Sequence, residues 1–142
     1  MTVRGRWGVA VTALAVVTAL ALLLWPHPAG PVDVAGAAGR HQVRLVVETP
    51  AVGARDLTVE ITGPEPVDRL VVAAVMAEMG HAAVPVTAVP VTAAPVAAGT
   101  TAPGRFRAAG VEFFMAGRWD VAVTVHGPDG AVEVVLPVLI TS

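Results

Sequence analysis

Cysteine is absent from this 142-residue chain. That excludes disulfide frameworks, Cys-ligated zinc, iron–sulfur centres, thiol nucleophiles and a lipid-modified cysteine. Tyrosine is absent as well, so no phenol acts as acid, base or ligand. Lysine is missing: nine arginines face eleven Asp and Glu, for a formal charge of −2. Such a balance lacks the basic face that nucleic acid requires. Serine occurs only as Ser142, which argues against serine nucleophile catalysis. No Gly-rich phosphate loop follows a strand-like run. These absences together argue against an enzyme. Charged residues make up 14% of the chain and apolar ones 55%, more apolar than an average soluble domain.

Part of that excess is one segment. Trp7 to Trp25 is a run of 19 residues without charge or proline. As a helix it would span roughly 28 Å, close to the hydrocarbon thickness of a bilayer. A tryptophan stands at each end, where an amphipathic ring favours the headgroup level. Arg4 and Arg6 precede the run and the next charge is Asp33. The positive-inside rule therefore puts the N-terminus in the cytoplasm and the remainder outside the membrane. Two readings stand: an uncleaved single-pass anchor, and a secretory signal peptide with a small-residue site at Ala35-Gly36-Ala37. The length of the run favours the anchor, because signal-peptide apolar regions are shorter. Either way the C-terminal part is exported.

The organisation that follows is residues 1–25 as membrane anchor or signal segment, 26–40 as a flexible Pro/Gly/Ala-rich linker, and 41–142 as a domain. Within the domain, short apolar runs of period 2 alternate with polar residues, each bounded by Gly or Pro. The inward sets are Val43, Leu45 and Val47; Leu57, Val59 and Ile61; Leu70, Val72, Ala74 and Met76; a run around Phe106 continuing through Val111 and Phe113; Trp119, Val121, Val123 and Val125; and Val132 through Ile140 on alternate positions. Gly127-Pro128-Asp129-Gly130 has the residues of a hairpin turn. Six strands, with a seventh between 82 and 98, predict an all-β fold, an immunoglobulin-like antiparallel β-sandwich. The stretch VPVTA at 84–88 recurs at 89–93 and decays to APVAA. Its prolines remove ladder donors, so it reads as an edge strand or an extended loop.

One hexapeptide carries distinctive chemistry: Met76-Ala77-Glu78-Met79-Gly80-His81. Thioether sulfur is a soft ligand suited to Cu(I), and imidazole binds several transition metals. The segment presents two sulfurs and one nitrogen to a single ion only if the chain turns there, and Gly80 permits a turn. On a straight strand Met76 and Met79 point to opposite faces. Against the metal reading, Met76 and Met115 both fall on inward positions and so fill a core, and His81 reads equally as a loop histidine. His27, His41 and His126 are weaker candidates. Glu65 with Asp68, and Asp129 with Glu133, read as solvated turn acids. Trp119 reads as the core aromatic.

The segments Met79-Gly80-His81, Pro103-Gly104-Arg105-Phe106-Arg107-Ala108 and Phe113-Phe114-Met115-Ala116-Gly117-Arg118-Trp119-Asp120-Val121, in that order, resemble the YtkA-like domain family, which is related to the FixH proteins of cytochrome oxidase assembly. The resemblance covers about residues 41–140. Phe106 stands where the family pattern has tyrosine, and the stretch after His81 is longer and richer in proline. The resemblance implies a membrane-anchored extracytoplasmic accessory domain associated with copper handling or oxidase assembly. Carried over by residue, Met76, Met79 and His81 match the Met/His motif and Met115 matches the Met before Gly-x-Trp. The partners implied are the lipid bilayer and a membrane copper protein or oxidase subunit. The alternative is a structural or protein-interaction module of the cell envelope that binds no metal.

Overall fold

A computed structural model describes residues 29–91 and 104–142. The described chain is all-β and antiparallel, apart from one parallel bridge between Ala51 and Thr141. The elements are β1 (Val32–Ala38), β2 (His41–Val47), β3 (Gly53–Thr62), β4 (Arg69–Met76), a 3-10 turn (Ala77–Met79), β5 (His81–Ala82), β6 (Val86–Pro90), β7 (Gly104–Phe113), β8 (Gly117–Gly127) and β9 (Gly130–Ile140). The membrane segment expected at 1–25 lies outside the described residues. Among the described residues no helix is long and apolar enough to cross a membrane.

Nine strands replace the seven expected. One of the additions is β1, which falls where the composition indicated a flexible linker over 26–40. The reason is local pairing: Val32 to Ala38 matches β2 residue for residue, from Val32 opposite Val47 to Ala38 opposite His41. Val32 and Val34 sit against the core and Asp33 faces outward. A Gly/Ala-rich segment forms a strand here because a ladder, a salt bridge and partial burial outweigh its weak intrinsic preference.

The strands run in the order β1-β2-β3-β7-β6-β4-β8-β9, with β5 appended to β4. The two halves of this path fold over one another as a sandwich, and β6 joins them. Val86 to Ala88 bonds to β4, whereas Val89 and Pro90 bond to β7. The expected edge strand is thus the margin of both sheets at once. Its prolines cost little, since Pro85 precedes the strand and Pro90 ends it. On the opposite side β1 and β9 face each other. A Cβ built on Gly36 would lie 2.8 Å from Val134 Cγ2 and 2.9 Å from Leu136 Cδ2, so only glycine lets the strands approach this far. The sheet is nearly closed into a barrel as a result.

The interior confirms the period-2 reading. Val43, Leu45, Val47, Leu57, Val59, Leu70, Val72, Ala74, Val111, Phe113, Trp119, Val121, Val123, Val125, Val138 and Ile140 are buried. The inward set of β9 loosens at its start, where Val132 is exposed and Val134 half-buried. The rings of Phe113 and Trp119 meet edge to face, with centroids 5.3 Å apart and planes at 85°. Each large side chain so buried contributes about 1.5–3 kcal/mol relative to exposure. The indole N–H of Trp119 donates to the carbonyl of Met115 at 3.0 Å, so burial leaves no unpaired donor.

Candidate metal centre at one pole

The registers assign each loop to one of two poles. Val32 pairs with Val47, Gly53 with Phe113, Gly117 with Ile140, and Val75 with Asp120. One pole therefore gathers the start of β1, the β2–β3 loop, the β4–β5 turn, the β7–β8 turn and the end of β9. The other gathers the β1–β2 turn, the β3–β4 loop, the end of β6 with the start of β7, and the β8–β9 hairpin. At the first pole Thr141 is tied to the β2–β3 loop. Its N–H and hydroxyl both donate to the Pro50 carbonyl, at 2.8 and 2.9 Å, and Val52 N–H donates to the Thr141 carbonyl at 3.1 Å.

All four expected ligands lie at that first pole, on two adjacent turns. The chain does turn after Met76, as a two-sulfur site requires: a 3-10 turn spans Ala77–Met79 and Gly80 is left-handed, with φ 66° and ψ 21°. The turn brings His81 directly opposite Met76 in the β4–β5 ladder. Residues in that relation leave the ladder on the same side, with Cβ atoms about 4.5–5.5 Å apart. Met79 rides on the turn with 59% of its surface exposed, and His81 is exposed. Met76 is a core residue at 4% exposure, the burial that its inward position implied. Its methyl group reaches the β7–β8 turn, where a Cβ on Gly117 would lie 3.0 Å from Met76 Cε. Met115, two residues before Gly117, is half-buried against the core.

The donor set is thus graded in depth: two thioethers packed against the core, one thioether and one imidazole open to solvent. Among the described residues no group of three or more His, Asp or Glu side chains is disposed to hold a metal ion. The sulfur and imidazole donors gathered at this pole are those of Met76, Met79, Met115 and His81. His41 and His126 lie at the other pole and take no part. His41 is buried, with Nδ1 unpaired and Nε2 4.0 Å from Glu65. His126 Nε2 meets the Arg69 guanidinium at 3.3 Å. His27 lies outside the described residues.

A second polar constellation was not anticipated. On the outer face of the first sheet, Arg44 bonds Asp33 on β1 and Glu60 on β3, and Arg105 on β7 bonds the same Glu60 at 2.7 Å. Beyond it Arg107 pairs with Asp56, whose other oxygen accepts from Gly110 N–H. Arg105 and Arg44 hold the Glu60 carboxyl below its usual range, Arg44 does so for Asp33, and Arg107 with Gly110 does so for Asp56. Arg44 is in turn held more firmly protonated, chiefly by Asp33. The alternation of the sequence marks Arg44, Glu60, Arg105 and Arg107 as outward, but Asp33 falls in the expected linker, and only the register shows that they form one chain of charges. In the open groove lined by Glu48, Arg55, Asp56, Thr58 and Arg107, Arg107 is neutralised by Asp56. Arg55 is spent on the Ala51 and Val52 carbonyls.

Comparison with known proteins finds no matching family model, no matching curated protein and no matching solved structure.

Proposed function

We propose that this chain is a membrane-anchored, extracytoplasmic, non-catalytic domain that binds Cu(I) for copper handling or oxidase assembly. Met79 and His81 are the entry ligands in this reading, and Met76 and Met115 complete the site from beneath. The observation that carries it is the pairing of Met76 with His81 across a turn that also holds Met79. Thioether and imidazole residues share this turn, with the Glu78 carboxylate exposed on it as well, and sulfur with imidazole suits a soft monovalent ion. Two exposed ligands favour exchange over permanent storage, as capture and hand-over require. The resemblance to the YtkA-like domain points the same way, on its motifs alone, and the sandwich is read with it as immunoglobulin-like. The Trp7–Trp25 run supplies the anchor.

The test is a Cu(I) competition titration against a coloured chelator under reducing conditions, on the full chain in detergent. A fragment begun at the first polar strand of the sequence, near residue 41, would discard β1 and is unsuitable. Uptake of about one equivalent, lost in Met79→Leu/His81→Ala with an unchanged circular dichroism spectrum, supports the proposal. Equal uptake by both proteins, or none by either, contradicts it.

One observation favours a second reading, an interaction module. The outer face of the second sheet is weakly polar, with Val135 at 52% and Leu139 at 61% exposure beside Val75 and Pro137. If copper is not bound, a pull-down from membranes that depends on Leu139 and Val135 supports that reading.

A further inference from the structure

We infer that the domain rests on the bilayer with the Met/His pole downward, so that Phe114, Met79 and Leu139 contact the headgroup layer. The inference depends on the reading of Trp7–Trp25 as a membrane anchor. Ala29 is four residues beyond Trp25, and β1 begins at Val32, seven beyond it. Seven fully extended residues reach at most about 25 Å. The strands of the domain are longer than that leash: β9 has 11 residues, roughly 36 Å of strand. The pole that holds Val32 is therefore the pole nearest the membrane.

What that pole exposes agrees with its position. Phe114 is 52% exposed, and Val52, Val75, Met79 and Leu139 are exposed around it. These side chains come from four separate elements: the β2–β3 loop, the β4–β5 hairpin, the β7–β8 turn and the end of β9. Toward the far pole the large apolar side chains exposed among the described residues are Val132, Val89 and Val91, none of them aromatic. Exposed apolar groups gathered from several loops mark a contact surface. The nearest surface that the leash allows is the bilayer itself. Glu48, Glu78 and Glu112 are exposed in the same region, and their charge keeps the contact at the headgroup level rather than in the hydrocarbon. The outer strip of β9 and β4 adjoins the pole, whereas the charged ladder on β2, β3 and β7 turns away from lipid.

The chain has no cysteine, which makes the test direct. Four single-site variants of the full chain are labelled with an environment-sensitive fluorophore: Leu14→Cys in the anchor, Phe114→Cys and Leu139→Cys at the near pole, and Asp129→Cys in the far hairpin. Each is reconstituted in phosphatidylcholine vesicles with and without a headgroup-nitroxide lipid, and the label at 14 also with an acyl-chain-nitroxide lipid. The inference expects loss of fluorescence at 114 and 139 and none at 129. Circular dichroism confirms folding, and 139 serves if the label at 114 disturbs Trp119. Quenching in the hydrocarbon at 14, with 114 and 139 no more quenched than 129, overturns the orientation and leaves the anchor standing. Equal quenching at all the domain sites overturns it too, because the domain then has no fixed side. No lipid contact at 14 overturns the anchor reading, and the orientation falls with it.

Discussion

The two poles of the domain are closed by the same antiparallel strands, yet they expose opposite chemistry. Among the described residues, the connections at the far pole are tight and polar: Gly39-Arg40, the Pro-rich stretch 63–68 and Gly127 to Gly130. Arg40 pairs there with Glu65, and of the two histidines at that pole His41 is buried and His126 half-buried. The near pole has a 3-10 turn with an exposed thioether and imidazole, and a turn that displays Phe114. Strand pattern therefore fixes the barrel, while loop composition decides which end carries chemistry.

The comparison breaks most severely through the core beneath the near pole. Trp119→Ala removes the buried indole, its edge contact with Phe113 and its bond to Met115. A loss of about 3–5 kcal/mol is expected from chemical denaturation. Any copper affinity should fall with it, because the β7–β8 turn loses its tie.

At the far pole the sharper probe is Gly63→Ala. The new Cβ would sit 2.2 Å from His41 Nδ1, and the ring is buried. A cost of about 1–3 kcal/mol is expected from this overpacking, with copper uptake unaffected. Loss of copper in this variant would show that the poles are not independent.

How much of this was legible in the residues follows from the kind of signal each feature leaves. The β2, β3, β4, β8 and β9 strands announce themselves by alternation, because each buries one face. The Met/His turn announces itself by residue type. Three things did not. β1 hides in a Gly/Ala-rich stretch, since its stability comes from pairing with β2 and from Gly36 lying against β9. The double role of β6 hides because a strand that leaves one sheet for another has no special composition. The Asp33–Arg44–Glu60–Arg105 ladder hides because cross-strand register is a long-range property. The burial of Met76, in contrast, was visible as the parity of Leu70, Val72 and Ala74.

A smaller effect separates the two sheets by pH. The carboxyls of Asp33, Asp56 and Glu60 are held below their ordinary values of 3.8, 3.8 and 4.5. The unfolded chain then binds more protons than the folded one as pH falls. Their contribution is complete above that range and is lost as pH drops through the lower folded values. Thermal unfolding from about pH 6 to about pH 3 should show a declining Tm, and Glu60→Gln should decline less. An identical profile for the variant would mean that the ladder contributes nothing. The smallest expected effect on stability is at Met79. Its side chain is exposed, so Met79→Leu should shift unfolding by less than about 0.5 kcal/mol, while removing a proposed copper ligand.

The most direct test of the account is the copper-edge X-ray absorption spectrum of the full chain loaded with one equivalent of Cu(I). The account predicts sulfur and a single imidazole in the coordination shell, with the imidazole signature lost in His81→Ala and sulfur reduced in Met79→Leu. A shell of nitrogen and oxygen alone, or a spectrum unchanged by both substitutions, would contradict the assignment of this pole as a Met/His copper site.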